Sequence, residues 1–289
     1  MKVLVSTDTS CLINYETLKK YDISLFPLNV IVDGQEYLDG ITINQAQLED
    51  YMRTGKNIKT STPPLGDIID YFTALFEKGY EHIIHFTISS KLSSMYELFC
   101  NVAEQNFKGK LTIIDSYSLS SFMLSNVLFA YEEVQKGTSI EDIVKALDER
   151  RKDGDFLFIP ENLTALKNGG RISPTVALIG NSIGIKPVIV LQDGALEKTE
   201  IIRNPKRTLI DKLTKAQEKY PTDKYDYTLV AFGANENLYA YFIDNADKIL
   251  QDKYIKGLVS INVCAHCGPG TIGYVISPKI NGKSLKEFI

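Results

Sequence analysis

The chain has 289 residues, of which 44% are hydrophobic and 24% charged, with a formal net charge of −4. That balance is ordinary for a globular protein and gives no basic footprint, which argues against nucleic acid as the default partner. No apolar run approaches the ~20 residues of a membrane span, and Met1-Lys2-Val3-Leu4-Val5 enters a strand without a signal-peptide layout, so a cytoplasmic protein is expected.

In chain order, strands are predicted over 2–6 and 24–32, the second interrupted at Pro27, which places it at a sheet edge. Thr60-Ser61-Thr62-Pro63-Pro64 is expected to open a helix over 65–78, where apolar residues recur at helical spacing and Gly79 supplies the stop. Strands over 82–88 and 111–115 flank a helix over 92–106. Helices over 118–135 and 139–152 follow, the latter with Ser139 and Asp142 resembling a capping box. This order predicts a parallel, doubly wound N-terminal sheet with helices on both faces.

A hinge is expected at Lys152-Asp153-Gly154-Asp155, dividing the chain into an α/β domain over 1–153 and an α+β domain over 154–289 with a mixed or antiparallel sheet. In the second half a strand over 155–159 precedes a short helix from Pro160 to Gly169-Gly170 and another from Ser173-Pro174. Strands over 186–191 and 195–201 flank the hairpin turn Gln192-Asp193-Gly194. Asn204-Pro205 starts a helix, and a strand over 227–232, a helix over 236–250 and strands over 257–263 and 271–276 complete the chain.

The residues that carry chemistry are mostly hydroxyls. Ser89, Ser90, Ser93 and Ser94 cluster at one turn, and a single helix cap uses only one side-chain acceptor. Together with Thr60 to Thr62 and Ala265-His266-Cys267-Gly268, they predict a pocket of hydroxyls and N–H groups suited to an anion. Gly268-x-Gly270-x-x-Gly273 matches a dinucleotide fingerprint by letter alone; too little chain follows it, and a turn or close backbone approach is the better reading. Cys264 and Cys267 form a CxxC with no second pair for zinc, and small packing residues are expected. His82 and His85 have odd strand spacing, so they face opposite sides and make no joint metal site. Asp115-Ser116 is a second candidate rim. Arg171 is expected on a flexible, exposed turn after Gly169-Gly170. With Lys186, Arg203, Lys206 and Arg207 it makes the middle of the second half locally basic. There is no GxSxG elbow, so an enzyme using Ser93 as nucleophile and His266 as base is the lesser reading.

These segments, taken in order, resemble the DegV family of bacterial fatty-acid-binding proteins. The resemblance rests on Thr9-Ser10, Pro27 to Val30, Asp39-Gly40, Thr60 to Pro63, Ser89-Ser90 through Tyr96, Asp115-Ser116, Leu163 to Ser173, Ile185-Lys186-Pro187 and His266 to Gly273. It implies a two-domain carrier, not an enzyme, that buries one long-chain fatty acid between its domains. It also implies delivery of that acid to a separate ATP-dependent fatty acid kinase, which makes an acyl-phosphate. Carried over by position, Thr60, Ser61, Ser93 and His266 would hold the carboxylate, Thr62, Ser94 and Gly268 would form its rim, and Arg171 and Arg203 would face the kinase. Lys91 and Ser94 stand where the family's serine turn usually has glycine. No cofactor or metal is implied, and membrane contact is limited to transient exchange of lipid. Two further expectations follow: the segment 176–189 moves to admit lipid, and removing Arg171 leaves ligand affinity and melting temperature unchanged. Burying ~15 methylenes at ~0.8 kcal/mol each gives about 12 kcal/mol gross, enough for tight binding after ordering costs.

Overall fold

The computed structural model describes residues 1–11, 16, 18–172 and 184–289. Its first sheet is parallel, with strand order β2-β1-β6-β7 built from β1 (Val3–Asp8), β2 (Ile23–Phe26), β6 (His82–Thr87) and β7 (Leu111–Asp115). Helices α2 (Leu65–Glu77) and α3 (Met95–Asn106) bury Phe72 and Phe99 with Leu4 and Ile83 on one face. Helices α4 (Ser120–Lys136) and α5 (Ile140–Arg150) bury Leu124, Leu128 and Ile143 with Val5, Ile84 and Ile114 on the other. Alternation of neighbouring strand residues between two apolar clusters is what a sheet covered on both faces requires.

The predicted strand over 24–32 divides at Pro27 into two strands of different sheets. β2 is the edge of the parallel sheet, while β3 (Asn29–Val32) joins a three-stranded antiparallel sheet with β4 (Gln35–Leu38) and β5 (Ile58–Ser61). The turn between β3 and β4 is Asp33-Gly34, with φ of 49° and 90°, the backbone a tight hairpin needs. Helix α1 (Gln45–Arg53) follows, closed by a reciprocal capping box between Asn44 and Gln47. Thr60 and Ser61 therefore lie on β5. They do not cap α2, whose N-cap is Pro64 without a side-chain bond.

The second half forms a six-stranded mixed sheet of order β10-β9-β8-β13-β11-β12. Its members are β8 (Asp155–Ile159), β9 (Lys186–Gln192), β10 (Ala195–Ile202), β11 (Tyr225–Phe232), β12 (Ile255–Gly257) and β13 (Thr271–Pro278). Only the β11–β12 pair is parallel. Helix α6 (Thr164–Asn168) follows β8, and α7 (Pro205–Lys219) and α8 (Glu236–Leu250) pack against each other. The predicted strand over 257–263 is corrected. After the short β12 the chain turns at Ser260 into helix α9 (Ile261–Cys267), because the Ser260 hydroxyl accepts from Val263 N–H and caps it. The helix expected at Ser173-Pro174, and most of the segment 176–189, lie outside the described residues.

The two halves touch along both ends. Helix α4 lies on β13. Arg150 donates to the carbonyls of Pro278 and Lys279 and to Ser125 and Asn126, fastening α5 to the end of the second sheet. Opposite this clamp, α9 packs on β3, β5 and α1. One apolar cluster runs through both halves, from Phe99 and Leu119 to Phe156, Phe158 and Val230.

Candidate functional site

Between the sheets lies a cavity with about 900 Å³ of empty space, including the part open to solvent. Strand β8 sets its direction. Ile272 pairs with Ile159, Gly273 with Phe158 and Val275 with Phe156, so Thr271 to Val275 marks a run of ~13 Å at ~3.3 Å per residue. Thr271 lies at the polar end. Phe156 and Phe158 project from the same strand face into the cavity, their rings 5.8 Å apart at 78°. Gly273 allows this packing, since a Cβ there would fall 2.1 Å from the Leu157 carbonyl oxygen. Leu28, Ile88, Leu92, Met95 and Leu119 of the first half and Leu166, Leu196, Val230 and Val263 of the second complete an apolar wall.

The polar end collects the predicted residues. Thr60, Ser61, Thr62, Ser93, Arg171 and His266 all line the same cavity, joined by Asn262 and Thr271. Strand β5 delivers Thr60 and α9 delivers His266, and Thr60 Oγ1 lies 2.9 Å from His266 Nε2. On the other side of the ring, a Cβ on Gly169 would fall 2.2 Å from His266 Nδ1. A glycine at the end of α6 is thus what lets the imidazole approach that turn so closely. Burial, with the charge of Arg171 beside it, pushes the His266 pKa down to about 4, so the ring is neutral at pH 7. Ser93 Oγ accepts from Met95 N–H at 3.3 Å at the start of α3. Outside Thr60 and His266 the cavity opens into a wider polar cleft lined by Lys56, Lys59, Asn162, Asn168, Arg171, Gly268 and Pro269.

Arg171 is not on an exposed turn. It is half-buried, and its Nε donates to the Leu92 carbonyl at 3.1 Å while a terminal nitrogen bonds the Gly169 carbonyl. The reason is that Gly170, with φ of 69°, turns the chain back toward the cavity. Ser94 is exposed and does not line the cavity; Gly268 lines only the outer cleft; Arg203 is exposed and lies away from both. The Ser89 hydroxyl is also drawn off, donating to the Gly194 carbonyl at 2.7 Å and holding the β9–β10 hairpin against the serine turn. Asp115 accepts from Ser90 N–H and Tyr117 N–H, which fixes that turn without facing the cavity.

The other histidines serve the core. His85 Nδ1 pairs with Ser6 Oγ at 2.9 Å, its ring stacks on Phe99 at 4.7 Å, and burial pushes its pKa down to about 3. His82 meets Thr112. Cys264 and Cys267 are buried, and burial raises the Cys264 thiol well above its usual value. Among the described residues no hydrogen bond joins Ser93 to His266, and no group of three acidic, histidine or cysteine side chains could hold a metal. No helix among them is long and apolar enough to cross a membrane.

Two residues matter here that sequence reasoning did not place in the site. Asp8 and Asp39 are buried carboxylates behind the polar end. Asp8 accepts from Ser10 N–H and Ile88 N–H, and burial raises its pKa to about 6. Asp39 was visible only as part of an Asp-Gly pair.

The family model described as "Uncharacterised protein, DegV family" matches residues 2–279. A DegV domain-containing protein of Staphylococcus aureus strain N315 is 30% identical over 284 residues, covering 96% of this chain and 99% of its own. A fatty acid binding DegV family protein from Streptococcus agalactiae superposes with a TM-score of 0.85 at 25% identity, covering 96% and 99%. A stearic acid-binding protein from Eubacterium ventriosum does so with a TM-score of 0.83 at 25% identity, covering 96% and 98%. With the family pattern matched along nearly its whole length, the chain belongs to the DegV family.

Proposed function

We propose that this protein carries one long-chain fatty acid, its tail in the cavity between the sheets and its carboxylate at the Thr60–His266 end. The observation that carries this reading is the cavity's polarity. One largely apolar cavity also carries hydroxyls, an imidazole and a guanidinium in its lining. A buried carboxylate needs such partners. Ser61, Ser93 and the hydrogen-bonded pair of Thr60 with neutral His266 supply uncharged donors, while Arg171 adds a positive field at the mouth. Thr62 fits the rim best of the three rim candidates.

In the same reading the chain is two domains, 1–153 and 154–289, with the ligand between them. It is a cytoplasmic carrier with no cofactor, and it presents the carboxylate to an ATP-dependent fatty acid kinase for acyl-phosphate formation. The cationic cleft outside Thr60 and His266 supports a route for a phosphate donor, and exposed Arg203 supports a docking contact. Transient membrane contact for lipid exchange is supported by Ile41 and Leu258, 61% and 51% exposed. Their loops are tied by the bond from Gln45 Nε2 to the Val259 carbonyl, and Val259 lines the tunnel. A hydrolase or transferase centred on Ser93 and His266 finds no support in their hydrogen bonding.

Native mass spectrometry of the purified protein, followed by reconstitution with kinase, ATP and labelled fatty acid, tests both levels. An intact acid released on denaturation and phosphorylated in the reconstituted system is expected. A covalent acyl adduct on Ser93, or no lipid after incubation with excess fatty acid, contradicts the carrier reading. A bound acid that the kinase never phosphorylates contradicts only the presentation step.

A further inference from the structure

Asp39 is 0% exposed, and its carboxylate joins parts of the chain that are far apart in sequence. Its Oδ1 accepts from Ile261 N–H at 2.9 Å, and its Oδ2 accepts from Asn262 N–H at 3.1 Å and from Thr9 Oγ1–H at 2.9 Å. Ile261 and Asn262 are the first two residues of α9, the helix that ends with His266 and Cys267. The next N–H, from Val263, donates to Ser260 Oγ at 3.4 Å, and that of Cys264 returns to the Ser260 carbonyl at 2.9 Å. The first turn of α9 is therefore satisfied by its own serine and by a carboxylate from the other half of the chain. A negative charge at that end also suits the helix dipole.

The connection continues past Asp39. Thr9 Oγ1 also accepts from Leu28 N–H at 3.2 Å, and Leu28 lines the tunnel. Asp8, the neighbour of Thr9, accepts from Ile88 N–H at 2.8 Å. Ile88 leads directly into the turn that bears Ser93. The wall carrying His266 and the wall carrying Ser93 are thus both referred to the end of β1.

We infer that Asp39 is a positioning residue for the carboxylate end of the tunnel. It fixes where α9 begins, and so where His266, five residues further on, meets Thr60. A free first turn would let the helix slide or rotate against β5. The 2.9 Å pairing of Thr60 with His266 would then be one geometry among several. This inference rests on the fatty-acid reading of the cavity, and it adds a residue that touches neither tail nor carboxylate.

The test compares hexadecanoic acid with hexadecan-1-ol, which shares the tail and lacks the charge, on wild type and Asp39→Asn. The expected result is roughly tenfold weaker binding of the acid by Asp39→Asn. Binding of the alcohol is expected to stay within a factor of about two, and the NMR signals of the His266 ring to shift. Equal loss for both probes, or a lowered melting temperature with the acid preference intact, shows a merely structural role and overturns the inference. Wild type that binds neither probe fails the fatty-acid reading itself, a distinguishable outcome. Should Asp39→Asn not fold, Thr9→Val removes one donor to the same carboxylate. It is expected to reduce acid preference in the same sense, and unchanged preference there overturns the inference equally.

Discussion

Gly169→Ala separates the packing of His266 from the stability of the helix that supports it. Gly169 has φ of −74° and ψ of −13°, helical values that alanine adopts readily. Propensity alone therefore favours the variant by up to about 1 kcal/mol. The new Cβ, however, would lie 2.2 Å from His266 Nδ1 and 3.0 Å from its Cε1. No side chain tolerates that distance, so the imidazole must swing away from Thr60. Overpacking of this kind costs about 1–3 kcal/mol, leaving a net loss of stability between roughly zero and 3 kcal/mol. Fatty-acid binding should suffer more, because a hydrogen bond to a charged partner contributes about 1.5–3 kcal/mol, a factor of roughly ten to a hundred. Thermal denaturation and titration calorimetry on the same sample measure the two effects. A variant with a raised melting temperature and wild-type affinity refutes the placement of His266 as a carboxylate contact.

Arg171→Ala is expected to lower both melting temperature and fatty-acid affinity, since the guanidinium bonds the Leu92 carbonyl across the interface and lines the cavity; a purely kinetic effect on the kinase reaction would return it to an external docking role. Arg150→Met should destabilise by about 1–3 kcal/mol, because it strips the Lys279 carbonyl of its guanidinium donor and leaves the Pro278 carbonyl with Ser125 Oγ alone, and a wild-type unfolding midpoint in urea would show the clamp to be dispensable. The ligand-free protein should lose stability on acidification. The folded pKa of His266 lies near 4, below its usual 6.5, so its contribution, about 3 kcal/mol, is complete above pH 6.5 and lost as pH falls toward 4. His85 acts in the same direction down to about 3. Asp8 acts oppositely: its pKa is raised from 3.8 to about 6, so its contribution is present below pH 3.8 and lost as pH rises through 6. His266→Gln should flatten the acid limb between pH 6.5 and 4, and an unchanged limb would contradict the buried, neutral ring.

Much of this architecture is legible in the residues because local signals agree with the tertiary result. The periodicity of Ile68, Phe72 and Leu75, the Asp193-Gly194 turn and the Asn204-Pro205 helix start each act within a few residues. The three-stranded sheet leaves little trace in the sequence, because its strands are only four residues long and its polar Thr60-Ser61 imitates a helix cap. The Asp33-Gly34 pair was the available signal for it. The alternation of Val259, Ile261 and Val263 reads as the end of a strand over 257–263, and only 261–263 of it fall in helix α9. What overrides that pattern is a cap, Ser260, and a carboxylate more than 200 residues away in sequence. The polar end was legible as residue types, through the family pattern, yet the burial of Arg171 was not. That burial depends on Leu92, which no local pattern ties to a Gly-Gly turn.

Calorimetry of hexadecanoic acid on delipidated, folded wild type, Thr60→Val, Ser93→Ala and His266→Ala reports whether the carboxylate binds at the Thr60–His266 end. Tight one-to-one binding by wild type is expected, with a loss of about 1.5–3 kcal/mol in each variant. One-to-one binding that is unchanged in all three variants would place the carboxylate elsewhere and contradict the site.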